Sequence, residues 1–472
     1  MHTSPCRWFL MCAFLGCFAL STLTAAEPRR LLPVIADPPH ATWATTVLKA
    51  NHATMKDILS ARMPNPTPQQ QQAIELLDIG ARWFVDDWQQ TSLEAAVRVA
   101  AAAEGVEDAQ VIYMRGVCME KSGRSSSAIA RYHEALERMS ADGYPAIRRV
   151  GPLRRIFLLC NEVRPDMVAD FARSLHDCLA DLSTDPIIKT YQLDLIKSNL
   201  DQDSLPNPMA RAAVLKVLQD PSLPITATRP LLGSWEIEEA WKARGSGWAS
   251  SVTPEGWQGM KEHLAKARQL LMAAAAAEPQ VSFAAGQMIT VCMGQDRSGE
   301  ESSWFKKAVS SIPDYPTAWS NMLYASTPRW GGSHAEMLAL GQAALDTRRF
   351  DTDVPWSYLT AVWAIDEDLN REGDGKPHDL SIWRKLQVWR SIESLFDGYL
   401  VSPTMSEAKK HYNRILFGAY AVRCGQSTAG FSRLKKEIMT ADELAMAARV
   451  AGIPLNELTE GIARAQPTVE VP

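Results

Sequence analysis

Two short segments of the chain bring arginine, tryptophan and glycine together, and these residue types can hold an anion. The first is Trp241-Lys242-Ala243-Arg244-Gly245-Ser246-Gly247-Trp248, and the second is Pro328-Arg329-Trp330-Gly331-Gly332-Ser333. A planar guanidinium grips carboxylate or phosphate oxygens with two parallel hydrogen bonds. Glycines let backbone amides approach the same ligand, and the helix starting after Ser333 would add its positive end. The candidate binding residues are therefore Trp241, Arg244, Trp248, Arg329 and Trp330. An architectural account is also open and is the simpler one. In it Trp248 and Trp330 pack over long connections, while each arginine stacks on a tryptophan or caps the carbonyls at a helix end.

Recognisable catalytic motifs are missing. No phosphate loop ending in Gly-Lys-Ser/Thr occurs, nor a Gly-x-Gly-x-x-Gly run, a His-Glu-x-x-His pair or a Gly-x-Ser-x-Gly elbow. His40, His52, His133, His176, His263, His334, His378 and His411 are solitary in the sequence and read as surface or helix-face residues. Asp366-Glu367-Asp368-Leu369-Asn370 begins like a calcium loop, but Arg371 stands where the turn needs glycine and Pro377 where a bidentate Glu belongs. Ser333 beside His334 is no catalytic dyad on adjacency alone. No cofactor and no metal are expected, and the chain leans away from being an enzyme.

The chain has 472 residues, 49 Lys and Arg against 54 Asp and Glu, and 46% apolar residues. That balance describes a soluble protein with a sizeable core. It offers no basic stripe for nucleic acid and no polybasic membrane-surface segment. At the start, Arg7 precedes the charge-free run Trp8 to Leu20, followed by Ser21-Thr22-Leu23-Thr24-Ala25-Ala26. A basic residue, a short apolar core and small residues form a secretory signal, with cleavage expected after Ala26. A retained anchor is the rival, disfavoured because the run is about 13 residues long and a span needs about 20. A lipid-modified Cys17 is a further alternative with a poor approach sequence. Membrane contact is expected only through this segment if it is uncleaved. The expected location is extracytoplasmic, periplasmic or secreted. Cys118, Cys160, Cys178, Cys292 and Cys424 are then read as free buried thiols, with a Cys160–Cys178 bridge as the alternative.

Beyond the Pro-rich lead-in, apolar residues recur at three- and four-residue steps, as in Ile74, Leu77, Ala81 and Phe84, which predicts helices. Capping pairs recur at Thr67–Gln70, Thr91–Glu94, Ser298–Glu301, Ser333–Glu336, Thr404–Glu407 and Thr440–Glu443. Pro68, Pro145, Pro206 and Pro254 suit a first helical turn. Tryptophan numbers 15 in all. Trp319 and Trp304 fall at packing positions, and Trp83 and Trp88 flank an apolar stripe, so only a few are expected to be free for binding.

Small residues mark a repeat. Gly116, Ala128, Tyr132 and Ala135 suit two closely crossing helices. Ala267, Leu271, Ala274 and Pro279 recur one period of about 34 residues on as Glu301, Phe305, Ala308 and Pro313, then as Ala335, Ala339, Gln342 and Thr347. Gly418, Gly430 and Leu434 form a last, fainter copy. The pattern resembles the tetratricopeptide repeat and predicts an all-α, tetratricopeptide-like helical-repeat solenoid with a free concave face. Expected divisions are a signal peptide at 1–26, an N-terminal helical region at 27–220, a central region carrying both loops at 221–350, and a C-terminal helical region at 351–472. Proline-marked breaks at Pro221–Pro230 suggest the first internal boundary.

The paired motifs Trp-x-Ala-Arg-Gly-x-Gly-Trp-Ala and Pro-Arg-Trp-Gly-Gly-Ser, with a capped helix bearing Trp257 between them, resemble the bacterial domain of unknown function 4034 family over roughly Pro221 to Phe350. The resemblance implies a tetratricopeptide-like helical fold and no established activity, so it assigns no site residue. The expected function is an exported scaffold for an unknown protein or peptide partner. Alternatives are a binder of a small anionic or envelope-polysaccharide ligand through the Arg/Trp/Gly loops, and an enzyme with an unrecognised site.

Overall fold

The computed structural model describes residues 43, 46–47, 57–85, 93–139, 141–160, 164–201, 205, 207–247, 249–296, 299–371, 378–432, 434 and 439–465, with backbone alone at 81–85 and 464–465. The signal segment, His40, His52, Trp88, Thr91, Pro206, Trp248 and Ser298 lie outside the described residues, as does the side chain of Trp83. Within them the chain is all-helical, with no strand. It divides into two compact units, one ending at Ala318 and the other starting at Trp319.

In the first unit the helices are α1 (Pro68–Val85), α2 (Leu93–Ala102), α3 (Ala109–Lys121), α4 (Ser125–Met139), α5 (Val150–Leu159), α6 (Pro165–Ala180), α7 (Pro186–Leu200), α8 (Pro208–Leu218), α9 (Ile225–Arg244), α10 (Pro254–Ala277), α11 (Ser282–Gly294) and α12 (Glu300–Ser311). Helix α13 (Pro316–Ala325) crosses the division. Successive helices pack as neighbours, α3 on α4, α9 on α10 and α11 on α12, because short connections leave them no other way to bury their apolar stripes. Gly116 shows the constraint. A Cβ there would stand 2.7 Å from a Tyr132 ring carbon, so the bulky partner needs a glycine opposite. Ala128, Tyr132 and Ala135 are fully buried beside it.

The start signals explain the helix ends. Thr67 N donates to Gln70 Oε1 at 2.8 Å while Gln70 N donates to Thr67 Oγ1 at 3.3 Å, and Thr440 with Glu443 forms the same reciprocal box. Two signals were misplaced. Helix α12 has Gly299, not Ser298, at its N-cap, with no side-chain cap. The helix predicted to be capped by Thr404 is capped by Ser406, which accepts from Lys409 N, while Thr404 bonds with the Ser402 hydroxyl. Pro230 is no break either: it lies inside α9.

Burial follows the expected 34-residue spacing at two positions and departs from it at the third. Ala267 and Leu271 are fully buried, as are Phe305 and Ala308. On α14 (His334–Asp346), however, the buried stripe is Met337, Leu340, Gly341, Ala344 and Leu345, and Ala335 is exposed. The stripe has slipped by two residues because the single 3-10 turn Pro328–Trp330 and two glycines lengthen the connection before α14.

The second unit continues with α15 (Ser357–Leu369), α16 (Leu386–Val401), α17 (Glu407–Cys424), α18 (Ser427–Ser432), α19 (Ala441–Val450) and α20 (Leu455–Ala465). At its centre Arg423, 5% exposed, donates to Asp366 Oδ2 at 2.9 Å and to the carbonyls of Ala451 and Gly452. The guanidinium carbon lies 4.2 Å from the ring centroid of Trp363 and 4.6 Å from that of Trp383. Trp383 Nε1 also donates to Asp366. A buried ion pair is tolerated when most of its remaining valences are filled; here both terminal nitrogens of Arg423 are bonded and its buried Nε has no partner. Removing one partner leaves a buried charge alone. Asp366→Ala is therefore expected to lower the stability of this unit by about 3–5 kcal/mol in urea denaturation, and a loss below about 1 kcal/mol would refute the role given to the pair.

Candidate functional site

The first Arg/Trp loop closes on itself. Arg244, the last residue of α9, is 7% exposed, and its Nη1 donates to the carbonyls of Gly245 at 3.2 Å and Gly247 at 2.9 Å. Its guanidinium carbon stands 5.3 Å from the Trp257 ring centroid and 6.0 Å from that of Trp241. Thr253 then caps α10 by accepting from Gly256 N. Arg244 thus ties down the connection that follows α9 while lying near two tryptophan rings. Trp248 lies outside the described residues.

The second loop has its own internal logic. Gly332 N donates to Thr327 O at 3.1 Å, and a Cβ on Gly332 would lie 2.1 Å from the Ser326 carbonyl oxygen. Only glycine permits that approach. Arg329 sits 5.7 Å from the Trp330 ring centroid, and Trp330 meets Tyr324 edge-on at 6.1 Å. Ser333 accepts from Glu336 N, as its capping role requires. Trp241 and Arg244 belong to the first unit, Arg329 and Trp330 to the second.

A different cluster, which the sequence reading missed, lies on α7. Tyr191, Asp194, Lys197 and Asp201 follow at steps of three and four residues and so share one side. Asp194 accepts from the Tyr315 hydroxyl at 3.0 Å and the Thr317 hydroxyl at 3.3 Å. Burial pushes its carboxyl up to about 7, against the pull of those hydroxyls and Lys197. Burial likewise raises Glu238 of α9 to about 7, with Lys197 and Arg211 opposing. Lys197 therefore acts on both carboxyls. A small cleft there is lined by Lys197, Leu200, Leu231, Ser234, Trp235 and Glu238 among others.

The charged network continues along neighbouring helices. Arg155 of α5 donates to the Tyr113 hydroxyl at 3.3 Å and to Glu120 at 2.6 Å, and the Tyr132 hydroxyl also reaches Glu120. Arg211 pairs with Glu239 at 3.0 Å and lies 4.0 Å over the Trp235 ring. Burial depresses the basicity of Arg148 and Arg154, the latter held up in part by Asp201. Carboxyls that titrate near neutrality beside a lysine can donate or accept hydrogen bonds to a ligand as conditions change, and such perturbed groups gather at functional sites. The chain's own residue Trp43 rests on this cluster. Its backbone N–H donates to Asp314 Oδ1 at 2.7 Å, and its ring meets Tyr315 at 5.2 Å and Tyr191 at 5.9 Å.

Several histidines are less solitary than their spacing suggests. His263 approaches Glu236 at 2.6 Å, His334 approaches Asp368 at 2.8 Å, His378 approaches Asp366 at 3.1 Å, and His411 approaches Glu443 at 3.2 Å. Among the described residues no three His, Cys, Asp or Glu side chains are grouped to hold a metal ion, and no helix is long and apolar enough to cross a membrane. The thiols of Cys118, Cys160, Cys178, Cys292 and Cys424 are free, so Cys160 and Cys178 are not bridged. Burial pushes the Cys118 and Cys292 thiols up to about 11 and those of Cys178 and Cys424 to about 12, which disfavours the reactive thiolate. No family model matches the chain, and no curated protein shows significant similarity to it.

The raised carboxyl of Asp194 has a consequence for stability. Its folded value lies above the ordinary aspartate range, so the native chain binds this proton more tightly than the unfolded chain. The stabilisation is present at low pH and is lost as pH rises through about 7. Asp194→Asn removes the titration and keeps the shape. It should stabilise the chain by about 1–3 kcal/mol near pH 8, with the two proteins converging towards pH 4. Thermal melts across that range provide the check, and equal stability at pH 8 contradicts the assignment.

Proposed function

We propose that the chain is an exported, tetratricopeptide-like helical-repeat scaffold that binds a protein or peptide partner on the α7–α9 face of its first unit. The supporting observation is the combination on that face of aromatic rings, both charge signs and two near-neutral carboxyls. Tyrosine, tryptophan and arginine side chains with apolar bodies and polar ends suit peptide recognition. Support for the repeat reading comes from the buried small residues at Ala267, Ala274 and Ala308 and the Gly116–Tyr132 crossing. Stacked helix pairs bury one face and leave another for partners. The signal-like start supports an extracytoplasmic location. The two loop motifs support placement in the domain of unknown function 4034 family, which assigns no activity, so the functional argument stands on the face itself.

Binding of a small anion or polysaccharide through the loops is a weaker reading, since the Arg244 guanidinium already holds two carbonyls and lies against two tryptophan rings. An enzymatic reading has one observation in its favour: Asp194 and Glu238 are poised near the pH at which proton transfer is most effective. Ser234 shares the cleft with Glu238 and Lys197, but its hydroxyl donates to the Pro230 carbonyl at 3.2 Å, within its own helix.

A photo-crosslinking residue placed at Lys197 on the face, and in a second protein at the exposed Arg173 of α6, separates these readings in the native cell envelope. A discrete protein adduct from position 197 alone is expected. Equal adducts from both positions, or none at 197, contradict a partner site on this face.

A further inference from the structure

The recognition face proposed above carries one occupant already, and the following rests on that reading. Trp43 and Val47 stand four residues apart, one helical turn, with helical backbone at 43, 46 and 47. Val47 is 2% exposed. The Trp43 ring is held between Tyr191 of α7 and Tyr315, in tilted and edge-on geometries that suit aromatic pairs. Its backbone N–H is held by Asp314, a side chain only 7% exposed. Beneath the ring, Tyr315 is fully buried and donates to Asp194. An aromatic anchor in a ring-lined seat, fixed by one main-chain hydrogen bond to a buried carboxylate, has the parts that peptide recognition uses.

We propose that Tyr191, Asp314 and Tyr315 form a tryptophan-reading seat and that Trp43 is its intramolecular occupant, a latch that a partner peptide bearing tryptophan must displace. Covalent attachment to the same chain makes the latch an intramolecular competitor, with an effective concentration rather than a free one. A partner of the same intrinsic strength therefore binds the closed chain more weakly than the opened one. The seat reads an aromatic ring and a donor N–H from the same residue, so the favoured ligand is a tryptophan-containing segment rather than a free sugar or anion.

The test uses the full chain from residue 27 and a fluorescent synthetic peptide of residues 39–48. Trp43→Ala opens the seat without touching its walls. The peptide is expected to bind this variant at micromolar concentration and the wild-type chain at least tenfold more weakly. A peptide with alanine in place of tryptophan should not bind. Adding Tyr191→Ala to Trp43→Ala should abolish binding, while Arg173→Ala in its place should leave it intact, which guards against general unfolding. Equal peptide affinity for wild type and Trp43→Ala overturns the latch, as does absence of binding to a Trp43→Ala protein that melts normally. A dimer of the wild-type chain that disappears on Trp43→Ala also overturns it, because the occupant would then come from a second copy. Failure here with the position-197 adduct still formed leaves the partner site standing. Peptide binding without that adduct removes the partner site and retains the seat.

Discussion

The first unit turns on the side chain of Tyr315, which is clasped from three sides. Its hydroxyl donates to Asp194 of α7, its ring carries Trp43, and its edge lies where a Cβ on Gly286 of α11 would come within 2.8 Å. A buried tyrosine needs a partner for its hydroxyl, and a buried carboxylate needs donors. Each meets the other's requirement. The cost of burying both falls on Asp194 as a raised proton affinity, which makes the seat sensitive to what covers it. Gly286 is the steric condition for this arrangement, since any larger residue would push the ring out of line.

The second unit solves the same problem with a full charge. Arg423 is stacked between two tryptophans and hydrogen-bonded to a carboxylate and two helix-end carbonyls. This joins α15, α17 and the end of α19 through a single side chain. Arg244 does a smaller version of this job at the end of α9. In each case the guanidinium fits because it is planar, with donors at its edge and faces that accept aromatic rings. At Arg244 and Arg423, arginine beside tryptophan holds carbonyls just beyond a helix end, whereas Arg211 over Trp235 pairs with Glu239.

The helices were legible because their signals are local. Capping pairs, first-turn prolines and the apolar period all act within about two turns. Pro68 and Pro254 stand at the first position of α1 and α10, as expected. Small residues at Gly116 and Ala308 also announced close crossings. What local signals could not give was the partner of each polar side chain. Asp194 and Tyr315 are 121 positions apart, and Trp43 and Asp314 are 271 apart. The one available hint was the spacing of Tyr191, Asp194, Lys197 and Asp201, a polar stripe on a helix that buries Ile187, Leu193, Ile196 and Leu200. The glycine-rich loops drew notice because their composition is rare, while the α7 stripe is made of ordinary residues made unusual by burial. The displaced buried stripe on α14 has a similar cause, since a loop's added length shifts a spacing that step-counting assumes constant.

The central claim is that Trp43 covers the Tyr191–Tyr315 seat of its own chain. Amide hydrogen exchange on the chain from residue 27, wild type against Trp43→Ala, tests this most directly. Faster exchange confined to residues 186–200 and 312–317, with 441–450 unchanged, is the predicted result. Identical exchange in the two proteins, or a uniform rise across the chain, would contradict it.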